Sequence, residues 1–254
     1  MMDKSIRILA VGNSFSDDAF HYLHDLAAAD GVDITAVNLY IGGCNLKTHY
    51  QNLCSDEKAY ARMENGVFTG RYVSIRETLE EGGWDYIMTQ QASHDSGILD
   101  TYFPYLQYLV NCFRMVCPEA AVLLHETWAY ELDSDHSAFP RYNRSQEEMF
   151  QKLRACYRTG AKRCLLPLIP SGDVIQEARK RSPFRYELGE RSLCRDGYHM
   201  DLCYGRYLVA AVVYFFLTKN DLRKNTFLPP GGEQAIVDVL KDCVMETMLS
   251  PHLG

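Results

Sequence analysis

The sequence predicts an α/β fold in which a mostly parallel sheet is covered on both faces by helices. Strand-like apolar runs alternate with longer helix-like segments, which is the pattern of such a sheet. The chain has 254 residues, of which 47% are hydrophobic, so it can bury one sizeable core. No internal repeat or low-complexity segment interrupts the pattern. We therefore expect a single domain over residues 1–254.

The predicted strands are five short apolar runs, at residues 6–11, 33–40, 86–90, 121–127 and 163–168. Helix-like segments lie between them. DAFHYLHDLAAADG is expected to end at Gly31, and FPYLQYLVNCFRMVCP at Pro118. In SQEEMFQKLRACYRTG, Ser145 and Glu148 form an S-x-x-E capping box and Gly160 is expected to close the helix. Two final helices are predicted at 202–217 and 233–249.

Two segments do not fit the alternation. Residues 45–83 are polar and aromatic, and we expect a small hairpin or surface excursion after Asn65-Gly66. Residues 171–195 are charged and contain Pro183, so they are predicted to form a loop with one short helix that could cover the site.

The charge of the chain argues against a nucleic-acid partner. The formal net charge is −7, and no basic tract is longer than RKR at 179–181. A polyanionic substrate is disfavoured for the same reason. The most apolar run, YLVAAVVYFFLTK, is too short to span a bilayer and fits a buried helix. The first residues show no long apolar leader, so we expect a cytoplasmic protein unless a leader was removed.

The cysteines are predicted to be mostly buried thiols. Their number, nine, is odd, and no pair has the C-x2-C spacing of a zinc site. Cys194 and Cys203 flank a short polar segment and could form a disulfide, although spacing alone gives no geometry. His21 and His24 have ligand-like spacing on the first helix, but no partner ligands accompany them, so we expect no metal site.

The first segment that could carry chemistry is ILAVGNSFSDDAF, where a strand stops at a glycine and Ser14 follows. Ligands collect beyond the carboxyl ends of parallel strands, so a serine at this turn lies where chemistry is usually done. The alternative is that Ser14 or Ser16 caps the following helix, and this segment by itself favours the cap.

A second segment is CRDGYHMDLCYG, in which Asp196 and His199 are three residues apart. The spacing lets the carboxylate accept a hydrogen bond from one ring nitrogen and leaves the other nitrogen free to take a serine proton. The alternative is an Asp that caps the next helix beside a partly exposed histidine. D-x-x-H is a weak signal alone.

Two further segments follow predicted strands. In NLYIGGCNL, strand two ends at Gly42-Gly43, where a backbone N–H could donate to an oxyanion. In WDYIMTQQASHDSG, a cluster of polar side chains follows strand three. Trp128 follows strand four, where it could hold a sugar ring on the cleft rim or pack in the core as an ordinary buried tryptophan.

Taken together, GNSFS, YIGGCNL, QQASHDSG and DGYHMD resemble the motifs of the SGNH (GDSL-type) hydrolases, and in particular an uncharacterised bacterial branch. The resemblance spans residues 8 to about 217, which is nearly the whole chain. It implies a flavodoxin-like three-layer α/β/α fold with a central parallel sheet. It also implies that Ser14 is the nucleophile, His199 the general base and Asp196 its orienting partner.

The resemblance further implies an oxyanion hole built from the Ser14 and Gly43 N–H groups and a third donor. The family uses an asparagine there, and this sequence departs from that pattern. His94 occupies the corresponding place, followed by a retained Asp95, whereas a looser alignment supplies the amide of Gln91 or Gln90. Trp128, Asn13 and Asp95 are the residues we expect on the substrate side of the cleft.

The implied activity is a serine esterase that works through an acyl-enzyme and needs no metal or cofactor. We expect short-acyl esters, such as O-acetyl groups on carbohydrate, because no long apolar lid is evident. Two alternatives stay open. One is a carbohydrate-binding or scaffold protein that has lost turnover, and the other is a lipase-like or thioesterase-like acyl hydrolase. The expected partner is a small-molecule or carbohydrate ester, and the oligomeric state is not predicted.

Overall fold

The computed structural model describes residues 5–250, and within them seven strands form one sheet in the order β4-β3-β2-β1-β5-β6-β7. The strands are β1 (Ile6–Gly12), β2 (Ile34–Tyr40), β3 (Tyr60–Glu64), β4 (Val67–Val73), β5 (Tyr86–Thr89), β6 (Ala121–His125) and β7 (Leu168–Ile169). β2, β1, β5, β6 and β7 are parallel, and taken alone they have the 2-1-3-4-5 order of flavodoxin-like folds. The predicted α/β fold is confirmed, with a mixed sheet in place of a wholly parallel one.

The helices are α1 (Ser14–Phe20), α2 (Leu23–Ala28), α3 (Leu46–Ser55), α4 (Ile75–Glu80), α5 (Tyr105–Val116), α6 (Gln146–Cys164), α7 (Ser171–Ala178), α8 (Tyr204–Thr218) and α9 (Gln234–Met248). α1, α2, α7, α8 and α9 pack together on one face of the sheet, whereas α3, α4, α5 and α6 pack on the other. Alternate residues of β1 point to each face: Ile8 lies in the first core and Leu9 in the second. Burial on both faces explains why this strand reads as a continuous apolar run.

The antiparallel edge of the sheet is formed within residues 45–83, the segment that did not fit the alternation of strands and helices. β3 pairs antiparallel with β2 and with β4. The turn between β3 and β4 is Asn65-Gly66, and both residues have positive φ, 48° and 76°. Two successive left-handed residues match the right-handed twist of the strands, which is why Asn-Gly is favoured at such turns. The hairpin therefore forms at the predicted position and adds two strands to one edge of the sheet.

Three predicted boundaries were wrong. The strand expected at 163–168 is only Leu168–Ile169, because α6 continues to Cys164 and ends at Leu165, which takes the left-handed conformation. Gly160 does not end α6. It lies inside the helix, where a Cβ would come within 3.2 Å of Leu106, so close helix packing explains the glycine. The first helix is interrupted at Tyr22, whose hydroxyl donates to the Leu202 carbonyl at 2.9 Å.

The remaining expectations concern the loops, thiols and apolar runs. Residues 171–195 contain α7 and a short 3₁₀ turn, and α7 packs against α8 and α9. All nine cysteines are free thiols, so Cys194 and Cys203 are not joined. Within residues 5–250, no helix is both long enough and apolar enough to cross a bilayer.

Candidate active site

Ser14 begins α1 at the carboxyl end of β1, and a neighbour supplies the helix cap. The side chain of Asn13 accepts a hydrogen bond from the Phe15 N–H at 3.0 Å, and Ser16 Oγ accepts from the Asn13 N–H at 3.0 Å. This reciprocal pair is a capping box. Because Asn13 and Ser16 satisfy the helix start, the Ser14 hydroxyl is left for another partner.

That partner is His199. Its Nε2 lies 2.8 Å from Ser14 Oγ, and its Nδ1 lies 2.7 Å from Asp196 Oδ2. Asp196 Oδ1 accepts a further hydrogen bond from the His199 backbone N–H at 2.8 Å. The structure therefore brings the three residues predicted for the triad into one hydrogen-bonded chain, in the order serine, imidazole, carboxylate.

Asp196 is suited to hold the imidazole because it stays ionised. Partial burial tends to raise the pKa of Asp196, but hydrogen bonds from the His199 side chain and backbone outweigh it, so the pKa lies below its ordinary value. The side chain of Asp196 is 39% exposed, which places the acid of the chain at the surface.

A buried carboxylate in α1 ties Ser14's helix to the segment that carries Asp196 and His199. Asp18 is fully buried and accepts hydrogen bonds from Arg195 Nη1 at 3.0 Å and from Arg206 Nε at 2.8 Å. It also accepts from the Met200 N–H at 2.9 Å. Because Arg195 and Met200 lie on either side of Asp196 and His199 in the sequence, Asp18 holds this segment against the helix that begins at Ser14.

The same segment is held from the opposite side by the loop after β6. The Glu131 N–H donates to the Gly197 carbonyl at 2.7 Å. Gly197 has a φ of +84°, and a Cβ there would come within 2.9 Å of the Ser134 Cα. Only glycine allows both this backbone conformation and this close approach.

The cleft in front of Ser14 has a volume of about 330 Å³. Its lining residues are Ser14, Phe15, Tyr40, Gly42, Gly43, Ser93, His94, His136, Tyr198 and His199. None of residues 171–195 lines it, so the expectation that this segment covers the site does not hold. The sequence reasoning missed Phe15, Tyr40, Tyr198 and His136, which meet at the cleft only through tertiary packing.

Two backbone N–H groups at the cleft are free to donate. Within residues 5–250, no hydrogen bond uses the N–H of Ser14 or of Gly43. Gly43 has a φ of +63°, in the region that favours glycine. These are the two groups that were predicted as oxyanion donors, and both belong to residues that line the cleft.

The three candidates for the third donor, His94, Gln91 and Gln90, differ in whether they line the cleft. His94 lines the cleft, with Nε2 at 3.6 Å from Asp95 Oδ2. Gln91 is fully buried, and its Oε1 accepts from Leu46 N while its Nε2 donates to Thr101. Gln90 is also fully buried, and its Nε2 faces Asn13 Oδ1 at 3.3 Å. Neither glutamine lines the cleft, and internal hydrogen bonds use the Gln91 amide and the Gln90 Nε2, so the structure does not favour either as the third donor.

The three residues expected to bind substrate, Trp128, Asn13 and Asp95, make contacts within the protein. Trp128 is fully buried, stacks on Phe15 with ring centroids 4.1 Å apart, and donates from Nε1 to the Tyr198 carbonyl. Asn13 is buried and donates to the Cys44 carbonyl at 3.0 Å. Asp95 accepts from Asn45 Nδ2 at 3.0 Å.

None of these three lines the cleft, so the core alternative for Trp128 is the correct one. The neighbouring residues Glu126, Thr127 and Tyr130 are buried as well.

The histidine pair on the first helical segment has separate contacts. His24 Nδ1 lies 2.8 Å from the Ile34 carbonyl, and the His21 ring packs edge-on against Tyr22. Among residues 5–250, no group of three or more His, Cys, Asp or Glu side chains is arranged to hold a metal ion.

Comparison with known proteins identifies both the fold and the family of this chain. The fold is that of the SGNH (GDSL-type) hydrolases. The chain superposes with a TM-score of 0.56 on a proposed SGNH hydrolase from Slackia heliotrinireducens, at 20% identity, covering 84% of this chain and 100% of the other. With an acetylxylan esterase from Geobacillus stearothermophilus the TM-score is 0.51 at 12% identity, covering 86% of this chain and 95% of the other.

The chain belongs to the DUF4886 family, a domain of unknown function, whose model matches residues 7–246. A DUF4886 protein from Bacteroides uniformis is 35% identical and superposes with a TM-score of 0.91, covering 98% of this chain and 96% of the other. No curated protein matches the chain.

Proposed function

We propose that this protein is a serine hydrolase that cleaves carboxylic esters through an acyl-enzyme. The observation that carries the proposal is the hydrogen-bonded chain from Ser14 Oγ through His199 to Asp196, with distances of 2.8 and 2.7 Å, at an open cleft. Ser14 and His199 both line the cleft, so a substrate there can reach the serine hydroxyl.

The proposed mechanism follows from where charge develops. Ser14 Oγ attacks the ester carbonyl while His199 Nε2 takes its proton, and the Ser14 and Gly43 N–H groups stabilise the tetrahedral oxyanion. The C–O bond to the alcohol breaks as His199 returns the proton to the leaving oxygen. Water then attacks the acyl-Ser14 ester by the same route and releases the acid.

We further propose short acyl groups, such as acetyl, carried on a carbohydrate. The cleft of about 330 Å³ is lined by polar and aromatic side chains, with no aliphatic side chain among them, so nothing in it forms an apolar channel for a long chain. Tyr40 and Tyr198 are partly exposed there and offer the aromatic surface that Trp128 does not. The likeness to an acetylxylan esterase accords with this substrate class.

The test compares p-nitrophenyl acetate, p-nitrophenyl octanoate and an acetylated xylo-oligosaccharide, each with the parent protein and with Ser14→Ala. We expect acetate release from the first and third substrates, a lower kcat/KM on octanoate, and background rates for Ser14→Ala. Equal rates for parent and Ser14→Ala would refute the serine mechanism. A preference for octanoate would favour the lipase-like alternative. Binding of the oligosaccharide without acetate release would favour the non-catalytic alternative.

A further inference from the structure

His136 is a cleft residue that the proposed mechanism does not use. It lies in the loop after β6, and its ring packs against both Tyr130 and Tyr198, with ring-centroid distances of 4.5 and 4.8 Å. Tyr198 in turn lies 4.4 Å from the His199 ring. His136 lines the same cleft as Ser14 and His199.

The orientation and proton position of this ring are fixed by its own loop. The Ala138 backbone N–H donates to His136 Nδ1 at 3.1 Å, and the His136 carbonyl accepts from the Phe139 N–H at 2.9 Å. A nitrogen that accepts a hydrogen bond carries a lone pair, so the proton of the neutral ring is on Nε2. Nδ1 accepts from the backbone, and within residues 5–250 no hydrogen bond uses Nε2, so Nε2–H is the donor of this ring that is left for a substrate.

The surroundings of His136 favour its neutral form. Burial lowers the pKa of His136, and the nearby His94 and His199 rings act in the same direction, which together outweigh the opposing effect of the Asp135 and Asp196 carboxylates. A doubly protonated ring would place a hydrogen on Nδ1 and break the bond from Ala138. His136 is therefore poorly placed to act as a second base and well placed to donate.

His94, the donor suggested by sequence position, has a carboxylate beside its ring. Its Nε2 is 3.6 Å from Asp95 Oδ2. The Asp95 carboxylate would compete with a substrate oxygen for a hydrogen on that nitrogen, which makes His94 the weaker candidate.

We propose that His136 is the side-chain donor of this active site, and that its Nε2–H hydrogen-bonds an oxygen of the ester substrate. The inference rests on the proposed hydrolase function. It assigns the role that a third donor plays to a residue of the β6 loop instead of the segment after β5. The Glu131 N–H of that loop donates to the Gly197 carbonyl, which lies between Asp196 and His199. This contact fixes the loop that carries His136 relative to His199.

The kinetic test separates the N–H from the ring. His136→Phe keeps an aromatic ring against Tyr130 and Tyr198 but has no donor, whereas His136→Gln keeps an N–H donor on a side chain without a ring. We expect His136→Phe to lower kcat/KM for p-nitrophenyl acetate by about 10-fold or more and His136→Gln to retain most of the activity. Parent activity in a folded His136→Phe, or an equal loss in both variants, would overturn the proposal. Thermal unfolding of each variant checks that it is folded.

A second measurement does not depend on turnover. Long-range ¹H–¹⁵N NMR of the histidine rings reports which nitrogen carries the proton. We expect His136 to be the neutral Nε2–H form at pH 7, and its Nε2 signal to move when methylboronic acid forms a tetrahedral adduct on Ser14. The Nδ1–H form, a doubly protonated ring, or an unmoved signal in the adduct would refute the assignment. If no ester is hydrolysed and no adduct forms, the proposed function itself fails, and the proton position still reports on His136 separately.

Discussion

Within residues 5–250, two histidine rings lie within hydrogen-bond distance of a serine hydroxyl at the carboxyl edge of the sheet, and only one of these pairs lines the cleft. His199 Nε2 lies 2.8 Å from Ser14 Oγ, and His125 Nε2 lies 2.9 Å from Ser171 Oγ. The distances are equivalent. The surroundings are not.

The first pair opens into a cleft and has a carboxylate on the far ring nitrogen. The second pair is fully buried where α7 covers the end of β6, and His125 Nδ1 has no hydrogen-bond partner. Burial lowers the pKa of His125 to about 3, so it cannot accept a proton at neutral pH. A serine–histidine contact is therefore a catalytic candidate only when access and an orienting acid accompany it.

The largest effect is expected from replacing the two histidines in parallel. His199→Gln should lower kcat for p-nitrophenyl acetate by at least about 10³-fold, because it removes the proposed general base and leaves only substrate binding and the hydrogen-bond donors of the cleft. His125→Gln should leave kcat within a few fold and lower the melting temperature, because it disturbs a buried contact. Steady-state kinetics and thermal unfolding check both variants. A comparable loss of kcat in His125→Gln would erase the distinction between the two pairs.

The next largest effect is expected at Asp18, the buried carboxylate that holds the segment carrying Asp196 and His199. Asp18→Asn removes the buried charge that Arg195 and Arg206 share, so we expect a loss of about 2 kcal/mol or more in the free energy of unfolding. A displaced His199 should also lower kcat about 10-fold. The matched control is Asp17→Asn, whose carboxylate is partly exposed and 3.6 Å from Arg206, and which should cost under about 1 kcal/mol.

Urea unfolding and kcat are measured for both variants. Equal behaviour of the two would show that Asp18 does not position the triad segment.

The smallest expected effect is on stability, at Glu126 beside the buried His125. Burial and, after it, the nearby Asp173 carboxylate raise the pKa of Glu126 to about 8, so the folded protein holds a proton that the unfolded chain releases above about pH 4.5. Stability should therefore fall as pH rises from about 4.5 towards 8, with the full penalty present above that range. Glu126→Gln mimics the protonated form and should gain about 1 kcal/mol or more relative to the parent at pH 9, compared with pH 5. Urea unfolding at both pH values checks this, and an unchanged pH dependence would contradict it.

The sequence predicted the sheet well because its signals are local. The β1 run is apolar on both faces, and Asn65-Gly66 has the backbone preferences of a tight turn, so neither needs knowledge of distant residues. The approach of Ser14 to His199 is long-range, and it was predicted only by combining motifs with a family resemblance. The structure brings these residues together, and their catalytic role stays a prediction.

The errors share one physical cause, which is that the partner of each side chain lies far away in the sequence. Trp128 is buried because it stacks on Phe15, and the Gln91 amide is used because Leu46 and Thr101 lie beside it. His136 was missed because its neighbour Tyr198 is 62 positions further along the chain, and nothing in its local segment marks a cleft residue. Strand and turn propensities contain no information about such pairs.

The central claim is that Ser14 is an activated nucleophile and that the similar Ser171 is not. It is tested most directly by incubating the folded protein with a fluorophosphonate probe and locating the adduct by peptide mass spectrometry. We predict one adduct, on Ser14, that is absent from His199→Gln and still forms in His125→Gln. Labelling of Ser171, or a folded protein that carries no adduct on Ser14, would contradict the account.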